Sequence, residues 1–247
     1  MKSHLYIVQL VLILTLRGLA FTAEAQVKAV ATIGMTVSDV DRATEFYSAL
    51  TFQRVSDVEV FGDEYEHLVG VFGARMRMVR MQLGGEFIEL TEYLTPRGRP
   101  IPEDSRSNDL WFRHIAIVVS DMEKAFEKLR ALKVNFVSTG PQQLPAWNIA
   151  AAGIKAIRAG SGPGIEFLEY LTPRGGRLRP IAKANDLIHW QTTLITPDVE
   201  ALASKLRAEH ADFISSGVNV VPKDKFGFGK GLLVRDPDGH AMLLIEE

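Results

Sequence analysis

The sequence predicts an α+β protein of three tandem βαβββ modules, with mixed sheets curled around a shared cleft. Two observations carry this. The first is an internal repeat. "IELTEYLTPRG" (Ile88–Gly98) is echoed by "IEFLEYLTPRG" (Ile165–Gly175), and "SNDLWFRH" after the first copy by "ANDLIHWQ" after the second. Ile88 to Ile165, Asn108 to Asn185 and Asp121 to Asp198 are each 77 residues apart. Self-similarity at a fixed period marks a fold built by repeating one supersecondary unit. The second is the order of periodicities: strand, helix, then three strands. Such a unit has one apolar sheet face and nothing of its own to cover it, so burial requires another unit.

The first module spans residues 27–98. "AVATIGMTVSD" (Ala29–Asp39) is rich in β-branched residues and leads into a turn. Val40, Ala43, Phe46, Tyr47 and Leu50 then recur at helical spacing, with Asp39 placed to cap the helix. Three strand-like runs follow: "FQRVSDVEVF", "RMRMVRMQL" and "EFIELTEYL". In the second of these, Arg75, Arg77, Arg80 and Gln82 intersperse with methionines, the pattern of a half-exposed strand.

The second module, residues 110–175, offers "FRHIAIVVSD" as strand, "MEKAFEKLRALKV" as helix, then "NFVST", "GIKAIRA" and "GIEFLEYL". The third, residues 187–247, offers "IHWQTTLITPD", the helix "VEALASKLRAEH", then "DFISSG", "GKGLLVRD" and "HAMLLIEE". The linkers "TPRGRPIPEDSRSNDL" and "TPRGGRLRPIAKANDL" are rich in Pro, Gly and charge. The middle module begins like the third ("KLRALKVNF" against "KLRAEHADF") and ends like the first. It reads as a composite, joined between Gly153 and Gly164, from an array that would otherwise hold four modules.

Residues 1–25 read as a signal peptide. Lys2 precedes the apolar run "LYIVQLVLILTL", and the small residues of Ala23–Ala25 favour cleavage before Gln26. The expected destination is outside the cytoplasm, with no stable membrane span after processing. A formal charge of −2 offers no footprint for nucleic acid. With no cysteine, disulfides and thiolate metal sites are excluded.

The stretches "IGMTVSDVDRATEFYSAL", "HIAIVVSDMEKAF", "IELTEYL" and "VRDPDGHAMLLIE" resemble the vicinal-oxygen-chelate superfamily, which includes glyoxalase I, extradiol dioxygenases, methylmalonyl-CoA epimerase and the fosfomycin and bleomycin resistance proteins. The resemblance covers nearly all of Val27–Glu247. It implies metal ligands seven positions before the "SD" aspartate on each first strand, and at a glutamate on each last strand. Those positions are Thr32, His114 and Gln191, and Glu89, Glu166 and Leu243. The resemblance thus implies two candidate sets: Glu89, His114 and Glu166 from modules one and two, or His114, Glu166 and Gln191 from modules two and three. Either would suit Zn²⁺, Fe²⁺, Mn²⁺ or Ni²⁺, with open positions for substrate. No organic cofactor is implied.

The expected activity is that of a metal-dependent lyase or isomerase on a small molecule with vicinal oxygens, with Glu166 or Glu89 as the base. Extradiol ring cleavage and metal-free binding of a small molecule are the alternatives. His189 is expected to point away from Gln191 and to be structural. His240 is expected to be exposed beside a turn made by Gly239. Arg75 and Arg77 are read as a solvated strand face. An odd module count leaves one sheet face uncovered, either Met76, Met78 and Met81 or Leu233, Met242 and Leu244. The expected partner for that face is a second copy, giving a homodimer.

Overall fold

The computed structural model describes residues 27–117, 119–136, 139–141, 155–157, 165–167, 175–177 and 182–246. Residues 1–25, expected to be a signal peptide, and much of the middle unit lie outside the described residues.

The first elements follow the predicted order: β1 (Ala29–Val37), α1 (Val40–Ala49), β2 (Gln53–Phe61), β3 (Arg75–Leu83) and β4 (Glu86–Thr95). A short helix, α2 (Asp63–Val69), stands between β2 and β3. This helix lies outside the predicted order, and Tyr65, Leu68 and Val69 bury its inner side. The middle unit contributes α3 (Met122–Ala131) and two short strands, β5 (Lys155–Ile157) and β6 (Ile165–Phe167). Then come β7 (Trp190–Ile195), α4 (Val199–Ala208), β8 (Asp212–Phe213), β9 (Asn219–Val220), α5 (Lys223–Phe226), β10 (Lys230–Arg235) and β11 (Ala241–Glu246).

Asp39, Asp121 and Asp198 each cap a helix, accepting from the backbone N–H of Arg42, Lys124 and Ala201 at 2.9, 3.0 and 2.8 Å. A side-chain oxygen there satisfies one of the otherwise unpaired first-turn donors.

One mixed sheet of nine strands runs β2-β3-β4-β1-β7-β11-β10-β8, with β9 also on β10. At its centre β1 pairs antiparallel with β7, while β1 pairs parallel with β4 and β7 parallel with β11. The sheet therefore joins the first and third units. This corrects the expected pairings of the first with the second or the second with the third. The two halves repeat each other in detail. Glu92 on β4 accepts from the Val40 N–H at 3.0 Å, and Glu246 on β11 accepts from the Val199 N–H at 3.2 Å.

On one side of the sheet, α1 covers Met35, Val79, Met81, Ile88 and Leu90, and α4 covers Val30, Leu194, Leu232, Val234 and Leu244. On the other side, Met76, Met78, Tyr93, Leu233, Leu243 and Ile245 pack with Leu68 and Val69 of α2 and with Phe228. The methionine and leucine faces expected to be spare are thus buried or half-buried within the chain. Among the described residues, those of the middle unit take no part in the nine-stranded sheet. "FRHIAIVVSD" was expected as a strand, but its described residues form none. No residue of α3 is buried, and among the described residues β5 pairs with β6 alone.

The repeated linkers account for the duplicated sequence. Each copy docks on the other. Asp186 receives the Arg99 backbone N–H at 2.7 Å and its guanidinium at 2.5 Å. Asp109 receives the Arg177 backbone N–H at 3.0 Å and its guanidinium at 2.8 Å. Both carboxyls are held below the usual carboxylate range, Asp109 chiefly by its Arg177 hydrogen bond, Asp186 by Arg99 against the opposing effect of burial. Any Cβ at Gly98 would overlap the Asn185 carbonyl, and any at Gly176 the Asn108 carbonyl. The Gly-Arg and Asn-Asp steps are therefore two halves of one clasp, written twice because it closes twice.

Candidate functional site

Strand register sets a polar row across the concave side of the sheet. Ser56 on β2 stands opposite Arg80 on β3, Arg80 opposite Glu89 on β4, Glu89 opposite Gly34 on β1, Gly34 opposite Gln191 on β7, and Gln191 opposite Ala241 on β11. At about 4.8 Å per strand, Glu89 and Gln191 are roughly 10 Å apart at their backbones, with Gly34 between.

Glycine at position 34 shapes this row. A Cβ there would come within 2.8 Å of the Gln191 Cγ and 3.3 Å of its Nε2. The glutamine side chain thus lies across Gly34, on the same face as Glu89. His189 holds it there, with its Nε2 3.2 Å from the Gln191 Oε1. That oxygen only accepts, so the imidazole proton sits on Nε2. Burial pushes the His189 pKa down to about 4, so the ring is neutral near pH 7. His189 was expected to point away from Gln191. The structure corrects this, because residues two apart in extended chain share a face. Its place follows from the clasp: the His189 N–H bonds the Asp186 carbonyl at 2.8 Å, and its carbonyl receives the Thr36 N–H at 3.0 Å.

Glu89 reaches a cavity of about 30 Å³ lined by Leu68, Met76, Met78, Leu233, Leu243 and His189, among others. Burial among these groups pushes its carboxyl up to about 7, with Arg80 opposing. The same burial, assisted by the Glu89 charge, raises the Tyr93 phenol. A wider cavity of about 340 Å³ adjoins the first, sharing Met78, Glu89 and Phe226 and adding Arg80, Phe87, Lys223 and Lys225.

The expected ligand positions are distributed unevenly. Matching the parallel registers Gly34–Glu89 and Thr193–Leu243 makes Thr32 the counterpart of Gln191 and Leu243 the counterpart of Glu89. Glu89 and Gln191 come together on the concave face. Thr32 donates its hydroxyl to the Phe87 carbonyl at 3.0 Å, and Leu243 is apolar. His114 is exposed, in a segment without strand, its ring 6.3 Å from that of Phe112. Glu166 stands on β6, in the separate two-stranded sheet; its side chain lies outside the described residues. Among the described residues no three His, Asp or Glu side chains converge as a metal site. The donors that the described residues bring together, one carboxylate and one amide already engaged by histidine, do not fit a catalytic divalent metal, which takes three protein ligands.

Other expectations resolve locally. Arg75 pairs with Glu59 at 2.5 Å, and Arg77 with Asp57 and Asp41, on the outer face as expected. Gly239 has a positive φ of 85° in its turn. His240 is half-buried rather than exposed: its Nδ1 lies 2.7 Å from Asp236 and its Nε2 3.1 Å from the Leu110 carbonyl.

Arg80 is the site residue that sequence reasoning missed. Arg75 and Arg77 share one parity with Val79, and Arg80 shares the other with Met76 and Met78. That change of parity was the available signal.

A nine-stranded mixed sheet with α1 and α4 on one side, and polar residues gathered at the centre of the other, defines an α+β cleft protein. The chain belongs to the Glyoxalase/Bleomycin resistance protein/Dioxygenase superfamily, whose profile matches residues 29–152. Among solved structures, glyoxalase I from Zea mays is 15% identical at a TM-score of 0.47, covering 88% of this chain and 92% of that one. Methylmalonyl-CoA epimerase from Mycobacterium tuberculosis is 12% identical at 0.40, covering 92% and 93%. A glyoxalase family protein from Bacillus cereus is 15% identical at 0.29, covering 92% and 98%. Such distant likenesses carry no argument about activity. No curated protein matches the chain.

Proposed function

We propose that the cleft binds a small oxygenated molecule and moves a proton on it, as an isomerase or lyase does, with Glu89 as base and Gln191 as electrophile. The observation that carries this is the Glu89 carboxyl, raised to about 7 in an apolar cavity and facing a histidine-braced amide across Gly34. A base poised near the working pH is both available and strong enough to act. With the His189 proton directed to Oε1, the Gln191 NH₂ group is left to donate to a substrate carbonyl. Glu89 takes the proton from the adjacent carbon, the C–H electron pair forms a carbon–carbon double bond as the carbonyl π pair moves onto oxygen to give an enolate, and the proton returns from Glu89 to the same or a neighbouring atom. A preorganised donor aimed at the developing oxyanion lowers the barrier to this step.

This reading is offered in place of the metal-dependent lyase or isomerase expected from the family resemblance, because the donors assembled among the described residues do not fit a metal. The cavity of about 30 Å³ shared by Glu89 and Gln191 admits only a small group, and the rest of a ligand extends past Glu89 into the wider cavity of about 340 Å³. Metal-free binding without turnover is the competing reading, and one experiment separates them. Hydroxyacetone, a neutral probe with adjacent oxygens, is incubated in D₂O near pH 7.5 and followed by ¹H NMR. The expected result is deuterium uptake beside the carbonyl, faster with wild type than with Glu89→Gln. Equal rates with both proteins and with buffer would leave a binding protein only.

A further inference from the structure

We infer that the molecule this cleft takes carries a carboxylate, received by Arg80. The inference rests on the reading of the cleft as a small-molecule site and names the class of ligand. Arg80 is an odd residue to find in the polar row. It stands between Ser56 and Glu89 on the concave face, and its guanidinium lies over the Phe87 ring, 4.2 Å from the centroid. Its Nε is buried and, among the described residues, has no hydrogen-bond partner. A buried donor left unmet is costly and calls for an acceptor. The neighbouring Glu89 does not supply a settled one, since its carboxyl is half protonated at its pKa of about 7.

The surroundings indicate what the acceptor is. Arg80 lines the wider cavity of about 340 Å³, and Lys223 and Lys225 of α5 line it too. Asp224 is the one acidic side chain between the two lysines, so with Arg80 the cavity has three cationic groups against Asp224 and the proton-exchanging Glu89. Gly227 closes α5 with a positive φ of 78°, and a Cβ there would stand 3.7 Å from an Arg80 Nη1. The backbone thus turns beside the guanidinium without covering it. The Phe87 ring covers one side of the guanidinium, and Arg80 lines the wider cavity with its remaining N–H groups as the recognition surface. An N–H edge on a planar fork suits a two-oxygen planar anion, with paired N–H···O bonds.

Geometry also orders the rest of the ligand. Arg80 and Glu89 are cross-strand neighbours, and the narrow cavity of about 30 Å³ beyond Glu89 is lined by Leu68, Met76, Leu233 and Leu243. That volume is about what one methyl group needs. A short carboxylate on Arg80 therefore passes its adjacent carbons in front of Glu89 and places an apolar tip in the narrow cavity. The class is a short-chain carboxylic acid with a second oxygen function next to the carboxylate.

The test compares 2-oxobutyrate with the neutral ketone 2-butanone by NMR titration of the full-length protein at matched ionic strength. Wild type is expected to bind the carboxylate about ten- to hundredfold more tightly than the ketone, the range for charge-assisted hydrogen bonds. Arg80→Gln is expected to erase that preference, and Arg80→Lys to restore only part of it. Double substitution of the exposed Lys223 and Lys225 by Gln guards against a folding artefact, with an expected two- to fourfold loss. Equal affinity of wild type for the two probes, or an unchanged preference in Arg80→Gln, overturns the inference. Inorganic phosphate competing as well as 2-oxobutyrate would show unspecific charge attraction and overturn it too. Glu89→Gln is expected to keep the carboxylate preference while losing proton exchange. A wild type that binds 2-oxobutyrate selectively but exchanges no proton would sink the catalytic reading and leave the carboxylate inference standing.

Discussion

Replacing Glu89 by Gln should make this protein more stable at alkaline pH. The Glu89 carboxyl rises from its ordinary 4.5 to about 7 on folding, because the cavity around it is apolar. Each pH unit of such a displacement corresponds to about 1.4 kcal/mol. Ionising Glu89 inside the fold thus costs about 3.5 kcal/mol at most, and solvent reaching the half-buried side chain brings the expectation to about 2 kcal/mol. Between 4.5 and 7 the folded state holds a proton that the unfolded state has released, so stability falls as pH rises through that window. Below it the group contributes nothing, and above it the full cost is present. His189 acts in the opposite sense: its depressed pKa of about 4 means that stability is lost as pH falls below the ordinary 6.5. Both proteins carry His189, so its effect cancels in the difference between them. The assay is urea denaturation of wild type and Glu89→Gln at pH 4.5 and pH 8.5. The variant should match wild type in acid and exceed it by about 2 kcal/mol in base. A constant difference at both pH values would refute the burial argument.

Gly34→Ala should leave the fold intact but displace Gln191, since the new Cβ would come within 2.8 Å of Gln191 Cγ; proton exchange on hydroxyacetone should fall at least tenfold, with thermal stability changing little. Asp186→Ala removes the acceptor of two backbone N–H groups and the Arg99 guanidinium, so it should cost about 2–4 kcal/mol in denaturant unfolding. Phe112, Ile117, Met122 and Leu132 of the middle unit are exposed, Met122 at 58%; analytical ultracentrifugation at micromolar concentration should show a homodimer, and a monomer would show that these groups need no partner. If residues 1–25 direct export, mass spectrometry of exported protein should find a chain beginning at Gln26.

Local chemistry was the most legible part of this sequence. Asp39, Asp121 and Asp198 cap the helices they precede, because capping depends on residues a few positions apart. The strands of the first and third units follow from alternating side chains. The β1–β7 pairing was not legible: it joins Ala29 to Ile195, and edge strands of similar chemistry do not announce their mates. The site was half legible. Glu89 and Gln191 stood at positions the family resemblance marks, but their convergence depends on which units pair. Arg80 and His189 were within reach of strand parity alone. The clasp was written openly in the repeat, yet its cross-over from one copy to the other is a tertiary fact that no local pattern encodes.

The central β1–β7 pairing has a consequence for the order in which this protein is made. β1 emerges early, but its antiparallel neighbour follows some 160 residues later. At roughly 5–20 residues per second, synthesis leaves that edge of β1 unpaired for on the order of ten to thirty seconds. During that time the first four strands form a sheet with one open side, and an open strand edge is a template for pairing with the wrong chain. The arrival of β7 therefore decides whether the edge of β1 is safely closed. A chain stalled or truncated before residue 190 would present the whole edge to its neighbours, and its fate would be aggregation rather than a smaller working domain.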